Sequence, residues 1–397
     1  MTDIPMASTP SRHPGAATDV TLHTATSGVP AGPAAQVGAW TVLLGAAISL
    51  AGLSWDVEWH KDVGPDTFFT LSHLALYTGS ALAGIASLIM VLLNTTAQRA
   101  GRPLPRSVGG TPVRVFGGAF AAPLGYLISG TGAASFLIYG LLDLIWHSIY
   151  GFDAVLNTPS HIALFLSISI TMIGAIITFA AAREHRWGQF GVVLAIPVLI
   201  VFAPIPANAL NNLSLPIDPV VIGIIVFAPL LLLTGAAVLH RRGAAVAIAA
   251  ALGILQAALW WFSPWAAHEY AVSVGLPLRD GLTPQPPELP SGAPMFLIVA
   301  ALAVEVLFWL SRTRGLDANK MMLLAGVATG LIVGASLPVQ QSLTDPTATF
   351  SIADVALLGG LGMPLGALAG FLAARFTVML LALSPTQNEP PTQKDVR

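Results

Sequence analysis

The sequence predicts an all-α integral membrane protein of about ten transmembrane helices, on the strength of three observations. Hydrophobic residues make up 55% of the 397 and charged residues only 9%, whereas soluble domains carry roughly 25% charged residues. The apolar residues are gathered into blocks of about twenty, the length that crosses a hydrocarbon core of roughly 30 Å. Backbone amides in lipid must be satisfied inside their own segment, which makes such blocks helices. The lipid bilayer is the first expected partner and no nucleic-acid partner is expected, the formal net charge of −2 by itself saying nothing about nucleic acid. The chain has no cysteine, which removes disulfides, iron–sulfur clusters and thiolate metal sites. No glycine-rich phosphate loop points to an ATPase.

In chain order, residues 1–36 are rich in Ala, Thr, Pro, Gly and Ser. They lack the apolar core behind a basic start that marks a signal peptide, so a disordered tail is expected. The candidate spans are 37–55, 70–93, 115–146, 161–182, 188–206, 219–240, 243–265, 292–311, 319–338 and 355–374. The third block contains a Gly/Pro-broken stretch, PLGYLISGTG, of the kind neighbouring helices can accommodate. Residues 37–183 are expected to form a four-helix module and 184–385 a six-helix membrane module. A second disordered tail is expected at 386–397. Between spans seven and eight, the Pro-rich segment 267–290 reads as a lid or an extended connection.

Charge sets the expected direction. Arg99, Arg102, Arg106 and Arg114 follow span two, and Arg183 and Arg186 follow span four. Arg241 and Arg242 follow span six, and Arg312, Arg314 and Lys320 follow span eight. The opposite connections hold only Lys61 and Arg279 together with most of the acids. By the positive-inside rule both termini are cytoplasmic, in a multi-pass protein of the cell membrane.

Two segments on the acidic side repeat each other. The first, DVEWHKDVGPDTFFTLSH, runs from Asp56 to His73; the second, DLIWHSIYGFDAVLNTPSH, runs from Asp143 to His161. Each has Asp, then Trp-His, then Gly and Asp at matching offsets, then Ser-His before an apolar span. Both copies start on the same side, so they form a parallel repeat. Asp56 and His60 are four apart, as are Asp143 and His147, and therefore share one helix face. His73 and His161 open the returning helices. Each hairpin can converge one carboxylate and two imidazoles, a ligand set suited to copper, iron or zinc.

Gly64 and Gly151 are expected to turn the loops. Asp66 and Asp153 are expected either to orient a ligand imidazole or to cap a helix. Polar residues in this position also serve as hydrogen-bonding glue between helices. Spacing alone leaves open whether the triads make two mononuclear centres or one dinuclear centre. Trp55, Trp59 and Trp146 are read as an interfacial aromatic belt. His268 and Glu269, at the acidic end of span seven, could complete or gate the site, but an aromatic belt with an exposed loop histidine is the favoured reading. Glu305, within span eight, is either a cavity-facing carboxylate or one bonded to a neighbouring helix.

The spacing Asp56-x3-His60-x12-His73 resembles the membrane copper site in the C subunit of the copper-dependent methane and ammonia monooxygenases. The resemblance implies that Asp56, His60 and His73 are copper ligands. Asp143, His147 and His161 are similar, with one more residue before the last His. The match is confined to these two segments, and the duplication and ten-span length depart from that family. The expectation is therefore a metal-dependent membrane protein, with copper favoured over iron or zinc and the metal toward the outer face. An oxidase- or monooxygenase-like subunit leads; a metal transporter or handling protein, and a metal-free structural or assembly subunit, are the alternatives. Further membrane subunits or a homo-oligomer are the other partners consistent with these readings. No catalytic residue is assigned by the sequence.

Overall fold

A computed structural model describes residues 32–64, 66–102, 104–151, 156–282 and 285–383. Asp153 and nearly all of both expected tails lie outside the described residues. The long helices track the apolar blocks: α1 (Pro33–Asp62), α2 (Leu71–Arg99), α3 (Leu124–Tyr150), α4 (Pro159–Ala181), α5 (Arg186–Phe202), α6 (Pro219–Leu239) and α7 (Ala244–Val274). A short α8 (Glu288–Gly292) leads into α9 (Leu297–Arg314), with α10 (Ala318–Thr344) and α11 (Ile352–Ala382) completing the chain. Counting α8 with α9, and α5 with the 3-10 turn Ile205–Leu213 behind it, ten helical segments among the described residues are long and apolar enough to cross a membrane. The protein is an all-α, multi-span membrane protein.

Two boundaries differ from expectation for identifiable reasons. The third apolar block does not begin as helix: an antiparallel hairpin, β1 (Pro112–Val115) with β2 (Phe120–Pro123), precedes α3. Gly117 and Gly118, at φ +66° and +89°, make its turn in the left-handed region where a right-handed helix cannot propagate. The segment expected as a lid is shorter, because α7 continues through Pro264 to Val274. The connection beyond α7 is tied down: the Arg279 amide donates to the Asp62 carbonyl at the end of α1 at 2.8 Å.

Close backbone approach organises the repeat. Gly45 and Gly132 stand eleven residues before Asp56 and Asp143. A Cβ at Gly45 would strike the Gly79 and Ala83 backbone of α2, and one at Gly132 would strike Thr171 and Ser167 of α4. Small residues let paired helices approach where no hydrophobic effect drives them together. Each pair is also bonded across: Ser49 Oγ donates to the Leu76 carbonyl and Ser129 Oγ to the Thr171 carbonyl, both at 2.9 Å. Helix α2 packs on α3 and α1 on α4, joining both hairpins into one four-helix group, while α1 also packs on α5 and α7. At the far side α10 and α11 meet through Gly326, Gly330, Gly362 and Gly366, backbone against backbone. The outward faces of α2 and α3 expose Ile85, Leu88, Ile89, Leu137, Ile138 and Leu141, an apolar surface suited to lipid rather than water.

Candidate metal centre

Helix α1 ends in WDVEWHKD and α3 in LDLIWHSIY, and each carries its Asp and His on the same face one turn apart. Both helices must stop so that the chain can return. Gly64 lies just past α1 at φ +105°, and Gly151 caps α3 at φ +85°, backbone states that cost other residues steric strain. The loops then deliver the second histidine in the first turn of the returning helix. Thr158 caps α4 by accepting from the His161 amide at 3.2 Å, which fixes where that imidazole begins.

In the first cluster, His73 Nε2 lies 3.1 Å from Asp56 Oδ1 and 3.4 Å from Asp66 Oδ2. His60 Nε2 lies 2.9 Å from Asp66 Oδ2 and 3.8 Å from Asp56 Oδ2. Ser72 Oγ donates to Asp56 Oδ1 at 2.7 Å, and Thr70 Oγ1 to Asp66 Oδ1 at 2.6 Å. Asp66, read from sequence as an orienting or capping residue, offers its other oxygen beside both imidazoles. The set is thus four donors, Asp56, His60, Asp66 and His73, all within 4.8 Å of one another.

In the second cluster, the Nε2 atoms of His147 and His161 each lie 3.5 Å from Asp143 Oδ1. Asp143 and His147 are both only 5% exposed, and among the described residues Asp143 Oδ1 has no hydrogen-bond partner. Buried polar atoms are rarely left so. Ligands held at about 2.0–2.2 Å around a tetrahedral metal are themselves about 3.3–3.5 Å apart. Two nitrogens at 3.5 Å from an orphaned carboxylate oxygen are therefore too far for a strong hydrogen bond but suitably placed to share an ion.

The imidazoles are also held from behind. His73 Nδ1 lies 3.0 Å from the Thr67 carbonyl, and His147 Nδ1 lies 2.8 Å from the Gly151 carbonyl. A carbonyl can only accept, so Nδ1 donates to it, and Nε2 is the nitrogen that faces the carboxylates. This backing is the usual device for fixing a metal-ligating histidine.

Both clusters line one cavity of ≈ 220 Å³, yet their donors form two groups rather than one. The arrangement is two donor clusters facing a shared space. Its apolar wall includes Leu53, Leu76, Leu164 and Phe165, and Tyr77, Lys61 and Glu288 add polar groups. Sequence reading did not single out those three. The signal for Tyr77 was present: HLALY and HIALF place Tyr77 and Phe165 one turn after the returning histidines, and both reach the cavity. Lys61 and Glu288 carried no local signal, since only the fold brings α8 beside α1.

The remaining candidates lie outside this space. His268 is not a loop residue; it sits on α7 with its side chain 44% exposed and Nε2 2.7 Å from Asp62 Oδ2, and it does not line the metal cavity. Glu269, beside it, is exposed. Glu305 Oε1 accepts from the Ala245 amide at 2.9 Å, placing a carboxylate at the positive N-terminal end of α7. Trp55 and Trp59 do not belong to an interfacial belt, because both are buried in a cluster with Ala266, Ala267 and Ala271. Trp59 packs on Tyr270 at 4.9 Å. Comparison with known protein families, curated proteins and solved structures finds no match.

Proposed function

We propose that the chain binds two transition-metal ions, copper in preference to iron or zinc, and serves as an oxidase- or monooxygenase-like membrane subunit. The observation that carries this reading is Asp143 Oδ1, a buried carboxylate oxygen without a hydrogen-bond partner among the described residues, with two imidazole nitrogens turned toward it. Asp56, His60, Asp66 and His73 would hold one ion; Asp143, His147 and His161 would hold the other. Imidazole with carboxylate suits copper, iron and zinc, and copper stands highest in intrinsic affinity among divalent ions. The spacing shared with the copper-dependent monooxygenases supports the same choice. Bound copper would supply one-electron and oxygen chemistry.

The chain's own residues do the rest. The Thr67 and Gly151 carbonyls orient the His73 and His147 rings so that Nε2 faces the carboxylates, and the apolar wall limits water around the centres. Tyr77 places a phenol at the edge of the shared space, its ring 6.0 Å from that of His73. The positive-inside distribution of arginine supports an outer location for the site.

The test is metal content by plasma mass spectrometry on detergent-purified protein, wild type beside His60→Ala/His147→Ala. Wild type is expected to hold one ion per cluster and the double variant to lose both. Wild-type protein that stays metal-free after reconstitution with copper, iron and zinc overturns the proposal.

A further inference from the structure

A second cavity, of ≈ 420 Å³, lies between the acidic ends of α6, α8, α10 and α11. Two side chains, Lys61 and Glu288, line both this cavity and the metal cavity, so the two spaces adjoin at these residues. Lys61 is the residue after His60, and Glu288 opens α8. That short helix is firmly anchored: Gln256 Nε2 donates to the Pro290 carbonyl at 3.0 Å, and Gln340 Nε2 to the Ser291 carbonyl at 2.6 Å. Trp260 Nε1 adds a bond to Ser291 Oγ at 3.1 Å.

The charge of the second cavity is negative. Its ionisable groups are Lys61, Glu288 and Asp345. The Lys61 ammonium is 3.1 Å from Glu58 Oε1, whose residue is only 2% exposed, so its charge is offset from behind. The Thr347 hydroxyl and amide both donate to Asp345, at 2.7 and 2.8 Å, and hold its carboxyl below the usual range. Gln341 and Thr344 add neutral oxygens. A divalent cation with about six waters of roughly 30 Å³ each occupies about 180 Å³, which the larger cavity admits.

From these features we infer that the second cavity is the entrance by which a hydrated divalent cation loads the two centres, past Lys61 and Glu288. The inference rests on the metal-site reading above and adds its route. Gly292 offers a clean obstruction: it lines the second cavity but not the first, and a Cβ there meets nothing within 4 Å.

The experiment mixes metal-free full-length protein in detergent with excess cupric chloride and monitors ligand-field absorbance by stopped flow. Wild type is compared with Gly292→Trp and Glu288→Gln. Gly292→Trp is expected to load about tenfold more slowly and Glu288→Gln on the order of threefold more slowly, within the range that charged clefts contribute to association. Both should reach the wild-type copper endpoint, and the Glu288 effect should shrink as salt is raised. Wild-type loading rates in both variants overturn the route while leaving the centres standing. A wild-type endpoint of no copper overturns the site itself, so the two failures are distinguishable. Should Gly292→Trp fall short of the endpoint, Glu288→Gln beside Glu288→Asp decides: the Asp variant keeps the salt-dependent rate if the entrance is real.

Discussion

Asp143→Leu distinguishes a metal site from helix glue by the sign of its effect. Asp143 is 5% exposed, its Oδ1 makes no hydrogen bond among the described residues, and the nearest basic atoms are two imidazole nitrogens at 3.5 Å. Without metal, a buried oxygen that makes no hydrogen bond bears a desolvation cost of about 1–3 kcal/mol. Leucine has the same branching as aspartate and removes the cost, although its bulkier methyl groups give part of the gain back, so metal-free Asp143→Leu is expected to be more stable than metal-free wild type by up to about 1–3 kcal/mol. Copper should reverse the order. An ion at a thousand times its dissociation constant stabilises the folded state by about 4.1 kcal/mol, and the variant cannot collect this at the second centre. If Asp143 instead formed a buried ion pair with His147 or His161, its removal would strand the partner and cost about 3–5 kcal/mol. The assay is thermal or denaturant unfolding of both proteins in one detergent, metal-free and copper-loaded. A metal-free variant less stable than wild type, with no copper-dependent gain in wild type, refutes the reasoning.

Asp66→Asn should lower copper affinity at the first centre while leaving the second unchanged, because only the first cluster contains Asp66; competitive titration against a chelator would resolve the two sites. Acidification should release both ions, since ligation needs deprotonated imidazoles, and copper retained down to about pH 4, well below the ordinary imidazole range, would argue against histidine ligands. Glu305→Ala removes the acceptor for the Ala245 amide and should cost about 1 kcal/mol of stability, as loss of a helix cap does, with copper content unchanged; lost metal would return Glu305 to the functional set. Gly330→Val places side-chain atoms on the Gly362 carbonyl and should destabilise the α10–α11 pair by about 1–3 kcal/mol or more, read as earlier unfolding in detergent with the copper stoichiometry intact in the folded fraction.

The membrane class, the ten spans and the duplicated Asp/His pattern were determined by the sequence alone. Their physical basis is local: a bilayer fixes how many apolar residues a span needs, and helical periodicity places Asp56 with His60 and Asp143 with His147. The turn glycines Gly64 and Gly151 were legible for the same reason, since only backbone states available within a few residues are at issue. The hairpin before α3 was hidden because its apolar composition matches that of a span, and its glycine turn decides against helix. Burial of Trp55 and Trp59 was equally hidden, because an aromatic at a helix end faces lipid or protein according to what packs beside it, here α7.

Only the tertiary structure decided how the two copies relate. Packing of α1 on α4 and of α2 on α3 puts both clusters on one cavity while leaving their donors as two sets. It also decided that Asp66 reaches His60 and His73, that His268 turns to Asp62, and that Glu305 serves the end of α7. Lys61 and Glu288, far apart in sequence, meet the same two cavities because α8 is anchored beside the end of α1 by the buried amides of Gln256 and Gln340. A ligand set within one hairpin is fixed by local spacing, whereas a space enclosed by several helices depends on their packing and can be seen only once the helices are assembled.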